Sequence, residues 1–261
     1  MPPDLAEFLR LAPLGFLIGA YGTLVGAGGG SLLVPALLLL YPDQDPATLT
    51  AMSLAVVFFN AYSGTIAYVR MGRVDYRAAT LFTLASFPGA IVGALLVHEV
   101  PRSIFQPAFG VLLFIMGAAL VISPLGAGSD EPLHTQKAHD RANLIGAVGS
   151  AYIAILASLL GIGGGIVHVP FLIRVLRLPP HSATATSHFV LTFMSLTATI
   201  THIVLGEFDH LAKTCYLAIG VMMGAPLGAA LSVKMKGSVI VQLLAVALCF
   251  VGLRLFTGMF F

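Results

Sequence analysis

The sequence predicts an all-α polytopic integral membrane protein, with eight hydrophobic segments in two homologous four-segment repeats. Three observations carry this. Apolar runs of about 20 residues, long enough to cross a bilayer core, recur along the whole chain. Of its 261 residues, 58% are hydrophobic and only 9% charged, with a mean hydropathy of +0.97; a soluble domain carries about a quarter charged residues. A glycine cluster, GAGGGSLLVP at 26–35, returns as GIGGGIVHVP at 161–170, which marks a duplication.

The first segment covers residues 11–40 and is interrupted by the first cluster. Three consecutive glycines lower helix stability by about 1 kcal/mol each relative to Ala, so the helix breaks there. YPDQDP at 41–46 is a polar turn, with Asp45 as a helix N-cap and Pro46 as the first helical residue. The second segment runs to Val69, and Arg70, Arg73, Asp75 and Arg77 mark a basic loop. The third ends near Val97; Pro101 opens the fourth, which reaches Val121. Residues 124–141 mix Gly, Pro and charge without periodicity and read as a linker between an N-terminal repeat, 1–123, and a C-terminal repeat, 142–261. The fifth segment, 142–173, is broken at its glycines like the first. The sixth covers 182–205, a charged loop 207–213 follows, and the seventh (to Val233) and eighth (238–256) close the chain.

The repeats align residue by residue. Gly26, Gly28, Gly29, Gly30 and Pro35 fall on Gly161, Gly163, Gly164, Gly165 and Pro170 at one constant offset. After a one-residue slip, Thr50, Ala51 and Ser53 meet Thr184, Ala185 and Ser187. Gly89 with Gly93 then meets Gly224 with Gly228, a small-xxx-small pattern that reads as close helix packing.

Positive charge arbitrates the path of the broken segments, because cytoplasmic loops collect Lys and Arg. If all eight segments span, the 13 Lys and Arg residues divide eight against five. If both broken segments dip in and return, Arg70, Arg73, Arg77, Lys137, Arg141, Arg174, Arg177, Lys234 and Lys236 share one side, nine against four. Each arm of a broken segment is roughly 18 Å long, too short to span alone. The expectation is therefore re-entrant hairpins, three full spans per half and inverted repeats, with both termini outside.

No Asp, Glu, Lys or Arg falls in the middle of an apolar segment, where a cation or proton transporter usually keeps a carboxylate. Hydroxyls, amides, imidazoles and freed backbone lie there instead. Glycine N–H groups at the start of a half-helix, helped by its dipole, bind an anion without a fixed cation. The candidate substrate-binding residues are Gly28, Gly29, Gly30 and Ser31, with Gly163, Gly164 and Gly165 in the second half. To these are added Ser53, Asn60, Ser63, Thr186, Ser187 and His188. Packing explains the glycines equally simply, and interhelical hydrogen bonds would explain the hydroxyls. His168, His188 and His202 lie in apolar segments; of these His188 is the candidate for coupling transport to protons.

Other classes find no support. A net charge of +2 suggests no nucleic-acid partner. The histidine spacing offers no metal template, and no catalytic or cofactor motif is present. Cys215 and Cys249 read as buried packing thiols, and residues 1–13 lack the pattern of a removable signal peptide. The partners expected are a small anion, the lipid bilayer and, as a coupling ion, protons.

The duplicated GxGGGxxxxP, followed in the second half by Ala185, Thr186 and Ser187, resembles the sulfite exporter TauE/SafE family, also called the toluene-sulfonate uptake permeases. The resemblance covers Gly15 to Leu255. It implies a secondary transporter moving sulfite, sulfoacetate or a related organosulfonate across the bacterial inner membrane. The first half departs from the second, with Met52 where the second half has Thr186. A passive anion channel, a metal-cation permease using His168, His188 and His202, and a non-transporting scaffold are the competing readings.

Overall fold

Each glycine cluster ends one helix and starts another, and the architecture follows from those two breaks. The computed structural model describes residues 3–122, 136–208 and 210–257. Among them are ten α-helices: α1 (Pro3–Val25), α2 (Gly30–Leu40), α3 (Pro46–Arg70), α4 (Tyr76–Leu96), α5 (Arg102–Ile122), α6 (Gln136–Leu159), α7 (Gly165–Val175), α8 (Pro180–Val204), α9 (Leu211–Lys234) and α10 (Gly237–Thr257). A 3₁₀ turn, Val97–Glu99, follows α4. Five helices, α1, α3, α4, α8 and α9, are long and apolar enough to cross a membrane; α1, the first arm of a broken segment, is therefore longer than expected, because its helix begins at Pro3, well before residue 11. Large apolar side chains such as Leu17, Leu84, Ile115, Leu144, Met223 and Phe250 are exposed. A surface so rich in them suits lipid rather than water. The protein is an all-α polytopic membrane protein.

Local chemistry places the helix ends. Asp45 caps α3 by accepting from the Thr48 N–H at 2.8 Å and from the Thr48 hydroxyl at 2.8 Å, and Pro46 opens the helix. Such a cap stabilises by about 1 kcal/mol. Asp75 does the same for α4, accepting from the N–H groups of Arg77 and Ala78. α3 and α8 end in the same motif. Gly72 (φ 64°) and Gly206 (φ 80°) turn left-handed. The next residue then bonds back, Arg73 N–H to the Tyr68 carbonyl and Glu207 N–H to the His202 carbonyl, which satisfies carbonyls the helix end leaves open. Helix α6 starts at Gln136, inside the stretch read as linker. Beyond Pro132 the segment QKAHDRAN holds good helix formers and no breaker. The rest of that stretch, up to residue 135, lies outside the described residues.

The two halves interlock reciprocally. α1 packs along α9 and α6 along α4, while α5 lies on α10 and α3 on α8. The glycines read as packing residues sit at these seams. Gly89 and Gly93 of α4 rest on the carbonyls of Ala151 and Ile155 in α6; Gly224 and Gly228 of α9 rest on those of Phe16 and Ala20 in α1. A β-carbon at any of the four would overlap a carbonyl oxygen. Cys215, expected in the interior, is exposed, and Cys249, expected there too, is half-buried. Helix α9 buries Thr214, Leu217, Ala218 and Val221, and Cys215 falls about 100° away from that stripe, facing out.

Both broken segments double back. Gly29 at the start of α2 lies beside Ile18 of α1. Beyond the end of α2, the Tyr41 hydroxyl donates to the Glu7 carboxylate near the start of α1 at 3.5 Å. In the second half the Phe171 ring of α7 covers Gly149 of α6, and His168 Nε2 meets the Ser150 hydroxyl at 2.9 Å. The Lys213 ammonium reaches Glu7 at 3.8 Å and the Tyr41 ring at 4.3 Å. Glu7, Tyr41 and Lys213 therefore share one end of the molecule. At the other end the Asp75 N–H donates to the Thr186 hydroxyl at 3.0 Å.

Candidate functional site

The two glycine loops meet backbone to backbone at the centre. Gly30 lies against the Ile162 backbone and Gly165 against that of Gly26 and Ala27, so neither position has room for a side chain. Each loop is also braced from the opposite half. The Ser53 hydroxyl donates to the Gly161 carbonyl at 2.6 Å and the Ser187 hydroxyl to the Gly26 carbonyl at 3.5 Å. Thr50 flanks Gly161 and Thr184 flanks Gly26. Gly28 and Gly163 both press on the Val57 side chain, and Gly28 also on Leu191.

Gly29 and Gly164 occupy the N-cap positions of α2 and α7 at φ 81° and 85°. This left-handed conformation costs an ordinary residue roughly 1–2 kcal/mol. Neither cap has a side-chain acceptor. The first N–H groups of each helix, with the positive end of its dipole, are thus presented to the interior.

The surroundings of the two helix starts differ. Gly164 faces the Met194 methyl and the side chains of Ala157 and Ile153. Gly29 faces Asn60, whose Nδ2 would lie 3.7 Å from a β-carbon placed there. Thr23 donates to Asn60 Oδ1 at 3.2 Å, which leaves the Asn60 amide hydrogens to point elsewhere. Both residues are fully buried, and Asn60 Nδ2 has no hydrogen-bond partner. Next to Thr23, over Gly64, lies the fully buried His188 ring, with both ring nitrogens unpartnered. Tyr68 stands edge-on to that ring with centroids 5.4 Å apart. Its hydroxyl donates to the Thr23 carbonyl at 2.8 Å and meets the Ser232 hydroxyl at 3.1 Å. A buried polar group without a partner costs about 1–3 kcal/mol. Asn60 brings one such group beside the start of α2, and His188 brings another next to Thr23.

The structure sorts the candidate residues. Gly29 lies beside Asn60, and His188 lies over Gly64 next to Thr23, the residue that bonds Asn60. Gly30 and Ser31, the latter 4% exposed, belong to the same helix start. Ser53 and Ser187 brace the loops, and Thr186 holds the α3–α4 loop through Asp75. Ser63 turns outward and donates to the Met222 carbonyl of α9 at 2.9 Å. Gly163, Gly164 and Gly165 face apolar side chains and backbone. Ser195 and Thr199 return their hydroxyls to α8 itself, bonding the carbonyls of Leu191 and Ser195. His168, His188 and His202 have different partners: Ser150, the Tyr68 ring and Glu207. Thr23, Tyr68 and Ser232 were not singled out from sequence. Asn60, Gly64 and Tyr68 recur every fourth residue, the one signal of a shared face.

Comparison with known proteins gives the family. The family model described as "Sulfite exporter TauE/SafE" matches residues 11–255. The chain is 29% identical to the probable membrane transporter protein YunE of Bacillus subtilis over 97% of this chain and 99% of that protein. It is 26% identical to a probable membrane transporter protein of Methanocaldococcus jannaschii, over 83% and 82% of the two chains. Sulfite exporter TauE/SafE family protein 5 of Arabidopsis thaliana shares 27% identity over 46% of this chain and 26% of its own length. No solved structure matches. The chain belongs to the sulfite exporter TauE/SafE family of membrane transporters.

Proposed function

We propose that this protein is a secondary transporter, not an enzyme, carrying a small sulfur-containing anion across the cell's inner membrane, with sulfite, sulfoacetate or a related organosulfonate as substrate. One observation supports the site above all: the start of α2, whose cap has no side-chain acceptor, lies beside the buried Asn60, whose Nδ2 has no partner, and the buried His188 ring, with both nitrogens unpartnered, lies next to Thr23, which bonds Asn60. Oxyanion oxygens supply acceptors for such donors. His188 is the group through which protons would be coupled.

The hairpins α1–α2 and α6–α7 act as re-entrant elements of two inverted repeats. The end carrying Arg70, Arg73 and Arg77 faces the cytoplasm under the positive-inside rule. With every site residue buried, the substrate waits for one repeat to rock against the other before it can leave. Uptake of radiolabelled sulfite and sulfoacetate into proteoliposomes tests the reading. Saturable flux with trans-stimulation is expected, falling about tenfold or more in Asn60→Leu and His188→Leu, the equivalent of losing hydrogen bonds to a charged group. Flux without trans-stimulation would mean a passive channel, and unchanged flux in both variants would remove the site.

A further inference from the structure

We propose that His98, His202 and Glu207 bind one divalent transition-metal cation of the zinc class, at the end of the molecule that carries Glu7, Tyr41 and Lys213. His98 Nε2 and His202 Nδ1 each lie 2.5 Å from a different oxygen of the Glu207 carboxylate. One ligand atom from each residue falls within 4.8 Å of the others. His98 comes from the 3₁₀ turn after α4 in the first half; His202 and Glu207 come from the end of α8 in the second.

The α8 end is built for the purpose. Gly206 folds the chain back so that the Glu207 N–H bonds the His202 carbonyl at 3.1 Å, and this brings the Glu207 side chain over its own helix. The first half makes the same turn with the same bonds, but there Tyr68 and Arg73 stand where His202 and Glu207 stand here. The backbone frame is duplicated, whereas the ligand chemistry occurs only once. Tyr68 turns inward to Thr23; His202 turns to Glu207, whose other oxygen meets His98.

Two imidazoles and a carboxylate are the donor set of three-ligand zinc sites that keep a fourth position for water. Nitrogen donors favour Zn(II) and Co(II) over Mg(II) and Ca(II), which prefer all-oxygen shells. Metal–ligand bonds of about 2.0–2.2 Å are reached from these positions by small side-chain rotations. The His202 side chain is fully buried and that of Glu207 12% exposed, whereas His98 is 36% exposed. A cation therefore approaches from the His98 side. Once bound, it ties the end of α4 to the α8–α9 loop and so joins the two halves on this face.

The test uses the tag-free full-length protein in detergent, titrated with CoCl2 and ZnCl2. One equivalent of Co(II) should bind with the visible absorption of a four-coordinate centre, and Zn(II) should displace it and raise the unfolding temperature. His98→Ala and Glu207→Gln should each weaken binding at least tenfold, the cost typical of a lost metal-site contact, while His210→Ala should not. His98 is exposed enough for its variant to fold. Equal binding in wild type, His98→Ala and Glu207→Gln, or no binding by wild type, would overturn the proposal and leave Glu207 as a carboxylate hydrogen-bonded to two histidines.

Discussion

Ser53 and Ser187, one in each half, hold the same carbonyl in the opposite half's glycine loop: Ser53 that of Gly161 at 2.6 Å, Ser187 that of Gly26 at 3.5 Å. The two serines fall on matching positions of the sequence alignment of the halves, and so do the glycines they grasp. The breaks are cross-braced, and the two bonds differ in length. Ser53→Ala should destabilise the protein by about 1 kcal/mol, the usual net value of a buried hydrogen bond, and Ser187→Ala by less. Thermal unfolding of the purified variants measures the difference.

Crossing of the loops predicts a second pattern. Gly30→Ala and Gly165→Ala each drive a methyl group into backbone of the other half. Each should cost about 1–3 kcal/mol or abolish expression of folded protein, as overpacking does. Gly72→Ala meets nothing within 4 Å and carries only the penalty of its left-handed φ, about 1–2 kcal/mol. Fluorescence size-exclusion profiles and unfolding temperatures report both.

The helix starts of α2 and α7 should contribute unequally to substrate binding. Asn60 faces Gly29, and Met194 faces Gly164. Met194→Leu, a volume-conserving swap, should leave anion affinity within about twofold. Asn60→Leu should weaken it by about tenfold or more. Equal losses in both would show that both helix starts bind substrate. Binding isotherms with sulfite decide between these outcomes.

Doubling back has a labelling signature. In a background with Cys215 and Cys249 replaced, Asp43→Cys should react from the same membrane face as Arg10→Cys, since Tyr41 and Glu7 are in contact. Lys234→Cys should react from the opposite face. If Asp43→Cys and Lys234→Cys label from one side, the broken segments cross the membrane completely.

Acid should weaken the α3 cap. Burial acts to raise the Asp45 carboxyl, but hydrogen bonds from Thr48 and Ala47 outweigh it and hold the group below its ordinary value. A group depressed in the folded state stabilises fully above its unfolded pKa, about 3.9, and loses that contribution as pH falls through the folded value. The stability of wild type should therefore fall toward that of Asp45→Ala as the pH drops from about 6 to 3. Unfolding temperatures of the two proteins across that range give the comparison.

Much of this was readable in advance because it is periodic or local. The glycine clusters, the Asp45–Pro46 start of α3 and the Gly89/Gly224 packing pairs each announce themselves within a few residues. The roles of the hydroxyls do not. Ser53, Ser63 and Asn60 lie on one helix, yet they answer to a glycine loop, to α9 and to Thr23 respectively. Which neighbour each meets depends on tertiary packing rather than on spacing along α3. Tyr68 and Ser232 meet only because α3 and α9 end together. His98 and Glu207 meet across the two halves, and no local motif connects them. Cys215 missed its expected burial by a single position around α9.

Reciprocal bracing has a price during biosynthesis. While the ribosome is still making the C-terminal half, the breach at residues 26–30 has emerged without Ser187 to anchor it or Ile162 to lie against. A chain halted near residue 123 would leave bare peptide groups inside the bilayer with no counterpart. The first loop therefore gains its packing against Ile162 and its bond from Ser187 only after the second half has been made.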